Sequence, residues 1–248
     1  MNHGPESGTR RLLACGIWAP VVALSAFAAA SARRPGYDQV ADTISKLSAQ
    51  GVTQRWLWTG GLIAYAVLMA LCAVGLRRRF GSITPGRIVW IAILVHAVLM
   101  VGVAVFRDDL RPGGFFTLEG ALHDVLSGMA FSALVAVMLG TVALATPDRA
   151  LWPLRVITLV VATAMTTVGV IFLFTPAAVQ GIPQRVFVGL AAVWIIFFAA
   201  RTRLGPGRRT PAETRADRRP PSSAEGGPHG SEPPSAAGRP RVTDRERR

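Results

Sequence analysis

Aspartates at 38 and 108, a histidine at 123 and an arginine at 185 stand at the edges of long apolar runs in this 248-residue chain. Beside a membrane, a charged group is costly unless it is paired or wetted, so each of these residues needs a partner or a role. Asp38, Asp108 and His123 are types suited to acid–base catalysis. A carboxylic acid in a partly dry pocket has a raised pKa and can donate a proton, which a neighbouring imidazole can relay or hold. Ser45, Ser48 and Arg185 are types that orient a substrate headgroup and are the candidate binding residues. A competing reading pairs Asp38 or Asp108 with Arg185 or Arg107 in ion pairs that pin connections to the body of the protein. Ser48, His123 and Asp108 also supply the residue types of a nucleophilic triad, but no motif surrounds either serine.

Metal chemistry is poorly served. Glu119 and His123 are four apart and would share a helix face. A hydrolytic zinc usually takes ~3 protein ligands, and this group offers a single histidine, with His96 placed far off inside an apolar run. Cys15 and Cys72 also lie inside apolar runs, which is packing chemistry and no disulfide framework. With no phosphate-binding glycine loop, haem ligand pair or nucleotide fingerprint, no metal and no cofactor are expected.

The elements that must position these residues follow from the apolar runs. The chain is 51% hydrophobic and 17% charged, with mean hydropathy +0.39, and its charges crowd into the last fifth. A spanning helix needs ~20 mainly apolar residues. Six runs qualify: Leu12–Ala32, Leu57–Leu76, Ile88–Phe106, Val125–Ala145, Val156–Val179 and Ile182–Ala200, the last with Arg185 near its start. Strands of this composition would leave unpaired backbone in lipid, so the predicted fold is all-α, a polytopic bundle of six transmembrane helices over residues 12–203. The first run is longer than the ~7–15 apolar residues of a signal peptide and is read as a retained helix. Residues 204–248 are rich in Pro, Gly, Ser and Arg and are expected to form a disordered basic tail. The net charge of +13 sits mostly in this tail and beside the helices, so it implies membrane lipids as partners and no nucleic acid.

Orientation comes from the basic residues of the connections. With a cytoplasmic N-terminus (residues 1–11), the inner connections before residue 201 hold 8 basic residues against 7 outside. The cluster Arg77-Arg78-Arg79 with Arg87, free of nearby acids, breaks this near tie and places both termini in the cytoplasm. Asp38, Asp42, Asp108, Asp109, Glu119 and Asp124 then share the outer side. In the first outer connection Val40, Ile44 and Leu47 recur at helical spacing, which predicts a short amphipathic helix lying over the bundle. Gly60 and Gly61, with Gly128 and Ser132, suit close helix contacts, either inside the bundle or in a homo-oligomer.

Several short motifs occur together. Gly36-Tyr37-Asp38 is followed by Ser45-Lys46-Leu47-Ser48, Phe106-Arg107-Asp108 closes the third helix, Leu122-His123-Asp124 opens the fourth, and Gln184-Arg185 opens the sixth. In this order the chain resembles a bacterial family of six-helix integral membrane proteins catalogued as domain of unknown function 998, over roughly residues 10–203. Where such proteins often carry a proline-rich turn after the aspartate, this chain reads Asp108-Asp109-Leu110-Arg111-Pro112. The resemblance transfers no settled activity, but it puts its polar motifs in the same outer cluster. The expected function is a binding or acid–base site for a lipid-like or isoprenoid-like molecule on the extracytoplasmic side of a bacterial inner membrane. The alternatives are a small proton-coupled transporter and a non-catalytic accessory or structural protein.

Overall fold

The computed structural model describes residues 5–109, 117–146 and 151–204. Among these residues the secondary structure is helical throughout: α1 (Pro5–Arg33), α2 (Trp56–Phe80), α3 (Thr84–Val105), α4 (Leu118–Ala145), α5 (Trp152–Phe174) and α6 (Gly181–Leu204). Short 3-10 turns add Ile44–Ser48 and Ala177–Val179. All six α-helices are long and apolar enough to cross a membrane. Of the tail expected over residues 204–248, Leu204 ends α6 and the rest lies outside the described residues.

Each helix packs antiparallel to its sequence neighbour, and α1 closes on α6, so the six form a ring in chain order. Side chains record the pairing: Gly75 meets Leu12 and Gly61 meets Ala26 on α1, while Gly140 meets Val89 on α3. At Gly61 a Cβ would lie 2.2 Å from that of Ala26, so only glycine allows this approach. Gly60 and Gly128 face open space instead, and the Ser132 hydroxyl is spent on the Gly128 carbonyl of its own helix. The ring centre is filled by Met69, Ile93, Leu134, Met138, Trp194 and Phe198, each fully or almost fully buried. Outward-facing Val98, Leu139, Val160 and Val193 are each more than 60% exposed. A soluble protein would hide such residues; here they are the surface that meets lipid.

The helix ends depart from the apolar runs for physical reasons. The fourth begins at Leu118, about two turns before the run. Thr117 caps it by accepting the Gly120 N–H at 3.0 Å, and Glu119 complements the helix dipole in the first turn. The fifth stops at Phe174 and not at Val179, because Thr175 is extended ahead of Pro176. The first begins at Pro5 and runs unbroken through Pro20.

The connection between α1 and α2 does not form the amphipathic helix expected of it. Asp38 accepts the N–H groups of Val40 at 2.7 Å and Ala41 at 3.3 Å through its carboxylate, which fixes a turn. One helical bond follows, Asp42 N–H to the Asp38 carbonyl at 2.8 Å. Thr43 is then extended, with φ −66° and ψ 156°, so propagation stops and only the 3-10 turn follows. Val40 stays 44% exposed, whereas Ile44 and Leu47 are buried against Ala30, Trp58, Leu62, Val103 and Ala104. The segment therefore plugs the end of the bundle between α1, α2, α3 and α6. Gly36 and Gly51, with φ of 71° and 81°, turn the chain at the two ends of this plug.

Candidate functional site

The polar residues gather at the plugged end, which we term the capped end. The opposite end, with the α2–α3 turn and its arginines, is the basic end. Cap construction starts at the close of α3. Phe106 donates its N–H to the Gly102 carbonyl at 2.9 Å, and its own carbonyl accepts Nδ1–H of the buried His123 at 2.9 Å. Arg107 then folds back onto Glu119, with Nε 2.6 Å from Oε1 and Nη2 2.8 Å from Oε2. This paired geometry is the strong form of a carboxylate–guanidinium contact.

Asp108 points at the plug. Its Oδ2 accepts the Ser45 hydroxyl at 2.7 Å, and its Oδ1 accepts the Asp109 N–H at 2.8 Å. The Thr43 hydroxyl lies 3.1 Å from the Ser45 oxygen. Since the Ser45 proton is committed to the carboxylate, Thr43 is the donor, and the three groups form a chain running from threonine to serine to aspartate. The backbone reinforces it: Gln50 N–H donates to the Asp108 carbonyl at 3.0 Å. Beside it, Asp109 Oδ1 accepts from Gln50 Nε2 at 3.0 Å and from the Thr117 hydroxyl at 2.7 Å. A Cβ at Gly120 would lie 2.2 Å from Asp109 Oδ2, so the glycine makes room for this carboxylate.

A second group forms on α6. Arg185 donates to Gln39 Oε1 at 3.0 Å, to the Asp42 carbonyl at 2.9 Å and to the Tyr37 hydroxyl at 2.7 Å. Its guanidinium also lies 5.5 Å from the ring centres of both Phe27 and Tyr37. The Tyr37 hydroxyl donates in turn to the Thr43 carbonyl at 3.1 Å. The Val40 carbonyl accepts the Gly181 N–H at 2.9 Å, and the Ile44 N–H donates to Gln184 Oε1. Asp42 pairs with Lys46 at 3.1 Å, while Arg34 donates to the Lys46 carbonyl.

The residues singled out from the sequence thus fall into distinct places. Asp108 and Ser45 touch directly. His123 holds the carbonyl two residues before Asp108. Ser48 spends its hydroxyl on the Ser45 carbonyl, 3.1 Å away inside the 3-10 turn. Asp38 is exposed and its Oδ1 accepts only from its own turn. Arg185 engages the 37–42 stretch and not Asp108. Sequence reasoning gave Gln50, Asp109, Thr117 and Thr43 no role, because they are ordinary loop residues: Gln50 meets Asp109 and Thr117 from far off in the chain, and the Thr43 hydroxyl joins the cap through Ser45. The Asp42–Lys46 pair was visible as an i,i+4 spacing. Among the described residues no group of three or more His, Cys, Asp or Glu side chains stands close enough to hold a metal ion.

Protonation ties the plug to pH. Burial pushes the Tyr37 phenol up to about 12, with Asp42 adding to this and Arg185 opposing it, so it remains a neutral donor. Burial also pushes the Asp42 carboxyl up, but the Asp38 N–H and Lys46 outweigh that and leave it below the usual carboxylate range. A depressed carboxylate contributes stability above its unfolded pKa and loses it as pH falls through the folded value; a raised phenol loses its contribution as pH rises from about 10 to about 12. Plug protection in hydrogen exchange is therefore expected to decline at both extremes. Tyr37→Phe should remove the alkaline decline while leaving the acid one. An unchanged alkaline limb in that variant would assign it to another group.

Comparison with curated proteins and with solved structures gives no match. The family profile that does match spans residues 17–201, from the first helix to the last and across the whole cap. With the six membrane-length helices, that coverage makes the chain an integral membrane protein belonging to the family described as Protein of unknown function (DUF998).

Proposed function

We propose that this protein of the bacterial inner membrane, with both termini cytoplasmic, holds a lipid-like or isoprenoid-like molecule under the plug at its extracytoplasmic end. Asp108 would be the acid–base group and Ser45 its partner. The orientation rests on the arginines of the basic end, Arg77, Arg78, Arg79 and Arg87, which favour the cytoplasmic side. The observation that carries the reading is the 2.7 Å bond from Ser45 to Asp108. It latches a segment whose underside, Ile44 and Leu47, is apolar. Lifting that segment would uncover an apolar cleft rimmed by a carboxylate and hydroxyls, a surface complementary to an amphiphile. The experiment is photolabelling in liposomes with a photoreactive isoprenyl phosphate. Competable label should fall on residues 43–49 and 103–109, and Ser45→Ala, which weakens the latch, should raise its yield. Label scattered along the helices and insensitive to competitor would sink the proposal.

One observation favours an accessory, non-catalytic role. Arg185, Asp42, Asp109 and Arg107 all have protein partners, so these four charged groups of the cap are satisfied without a ligand. On that reading Asp108→Asn lowers stability and no competable label appears at the cap. Proton-coupled transport has less support, because both ring nitrogens of His96 are engaged, by Tyr65 and by the Ala130 carbonyl.

A further inference from the structure

Toward the basic end α3 and α4 leave between them a groove of about 390 Å³. Its walls are apolar, formed by Ile88, Ile91, Ala92 and Val95 of α3 against Ala133 and Ala136 of α4. The cause lies in side-chain size. On the buried side the helices are tied by His96, whose Nδ1 lies 2.9 Å from the Ala130 carbonyl, and they approach closely at Gly140 and Val89. On the outward side large residues of α3 face alanines of α4, and the difference in bulk is left as a slot. Ile88, Ile91 and Val95 are each more than 40% exposed, so the slot opens sideways where lipid chains run.

The end of the slot is different in character. Thr84 and Arg87, in the first turn of α3, complete its lining. Both are exposed. An arginine there lays its aliphatic stem along the apolar wall and carries its guanidinium to the interface. Ile83, the residue preceding α3, caps no N–H with its side chain. A helix start of this kind favours an anion. The whole stretch 77–87 contains four arginines and no acid.

We propose that this groove is a binding site for one anionic phospholipid, with an acyl chain along Ile88, Ile91 and Val95 and the phosphate at Arg87 and Thr84. The apolar walls open into the hydrocarbon layer, where acyl chains are the available apolar partner. Among the described residues the rim formed by Thr84 and Arg87 carries no acid, so it supplies charge for a phosphodiester and no counter-ion for the ammonium of a zwitterionic headgroup. This site lies at the opposite end from the cap and does not depend on the reading of Asp108.

The test is native mass spectrometry of the full chain in neutral detergent, with phosphatidylglycerol or phosphatidylcholine of identical chains added. One arginine at the headgroup predicts a preference of about fivefold for phosphatidylglycerol. Arg87→Gln should bring the two lipids to parity, while Arg55→Gln at the capped end should leave the preference intact. Ala136→Phe, which fills the slot, should lower retention of both. Equal retention of the two lipids by the wild-type protein, retention of neither, or a preference surviving Arg87→Gln would each overturn the proposal. Arg87 is exposed, so that variant decides the matter even if Ala136→Phe fails to fold.

Discussion

Replacing Arg185 with methionine should release the plug while leaving the six helices assembled. The guanidinium makes three hydrogen bonds, to Gln39, the Asp42 carbonyl and Tyr37, and contacts two aromatic rings. The three hydrogen bonds and the Tyr37 ring contact join α6 to the segment after α1, and the Phe27 contact reaches α1 itself, so most of the loss falls on one local opening. Hydrogen bonds to a charged group contribute about 1.5–3 kcal/mol each in protected surroundings, and the half-buried position of Arg185 reduces their sum. A net loss of about 2–3 kcal/mol corresponds to roughly 30- to 150-fold faster exchange. It should appear at the amides of Asp42, Ile44 and Gly181, whose bonds tie the plug to itself and to α6. Methionine keeps the apolar stem, so α6 retains its packing, and amides in the middle of α2 and α3 should exchange as before. Gln39→Ala removes only one exposed partner and should move the same amides far less. Uniform acceleration across all helices would show that Arg185 supports the bundle as a whole and that the plug is no separate unit.

The helices were legible because lipid imposes one rule on every spanning segment: length and apolarity, both plain in the sequence. The errors occurred where capping overrides apolarity. Glu119, His123 and Asp124 precede the apolar run and hold its count to Val125, yet Thr117 starts the fourth helix ahead of them through its bond to Gly120. Pro176 ended the fifth helix early, and no count of apolar residues weighs a proline's effect on the residue before it. The plug was half legible. Val40, Ile44 and Leu47 have helical spacing, but the Asp38 side chain and the extended Thr43 stop the helix after one turn. Ile44 and Leu47 still turn inward, so the burial of this segment survived the wrong choice of element. Pairings across the cap were the least legible part. Ser45 and Asp108 are 63 residues apart, and nothing local in either motif says that they meet. Asp38 looked like their equal because it sits at a helix end, yet its Oδ1 is taken up by its own turn and the residue is exposed.

Inside the ring, Tyr65→Phe and His96→Leu should each destabilise the protein, and the two together should cost less than their sum. The Ala130 carbonyl can only accept, so the His96 Nδ1, 2.9 Å away, carries the proton. The neutral ring then presents Nε2 as an acceptor, and the Tyr65 hydroxyl, 2.8 Å away, is its donor. One buried relay thus joins α2, α3 and α4. Tyr65→Phe leaves Nε2 without a donor, and His96→Leu leaves the hydroxyl without an acceptor. An orphaned buried polar group costs about 1–3 kcal/mol. The double variant removes both groups, so each loses its orphan. Couplings between polar side chains of membrane helices average about 0.6 kcal/mol and reach about 1.7. The upper part of that range is expected here, because the rings also meet edge to face with centres 5.8 Å apart. Reversible unfolding in mixed micelles would give the four free energies of the cycle. Additive single effects would mean that the two groups do not depend on each other. His96 Nε2 would then not be held by Tyr65, which removes one of the two contacts that count against a proton carrier.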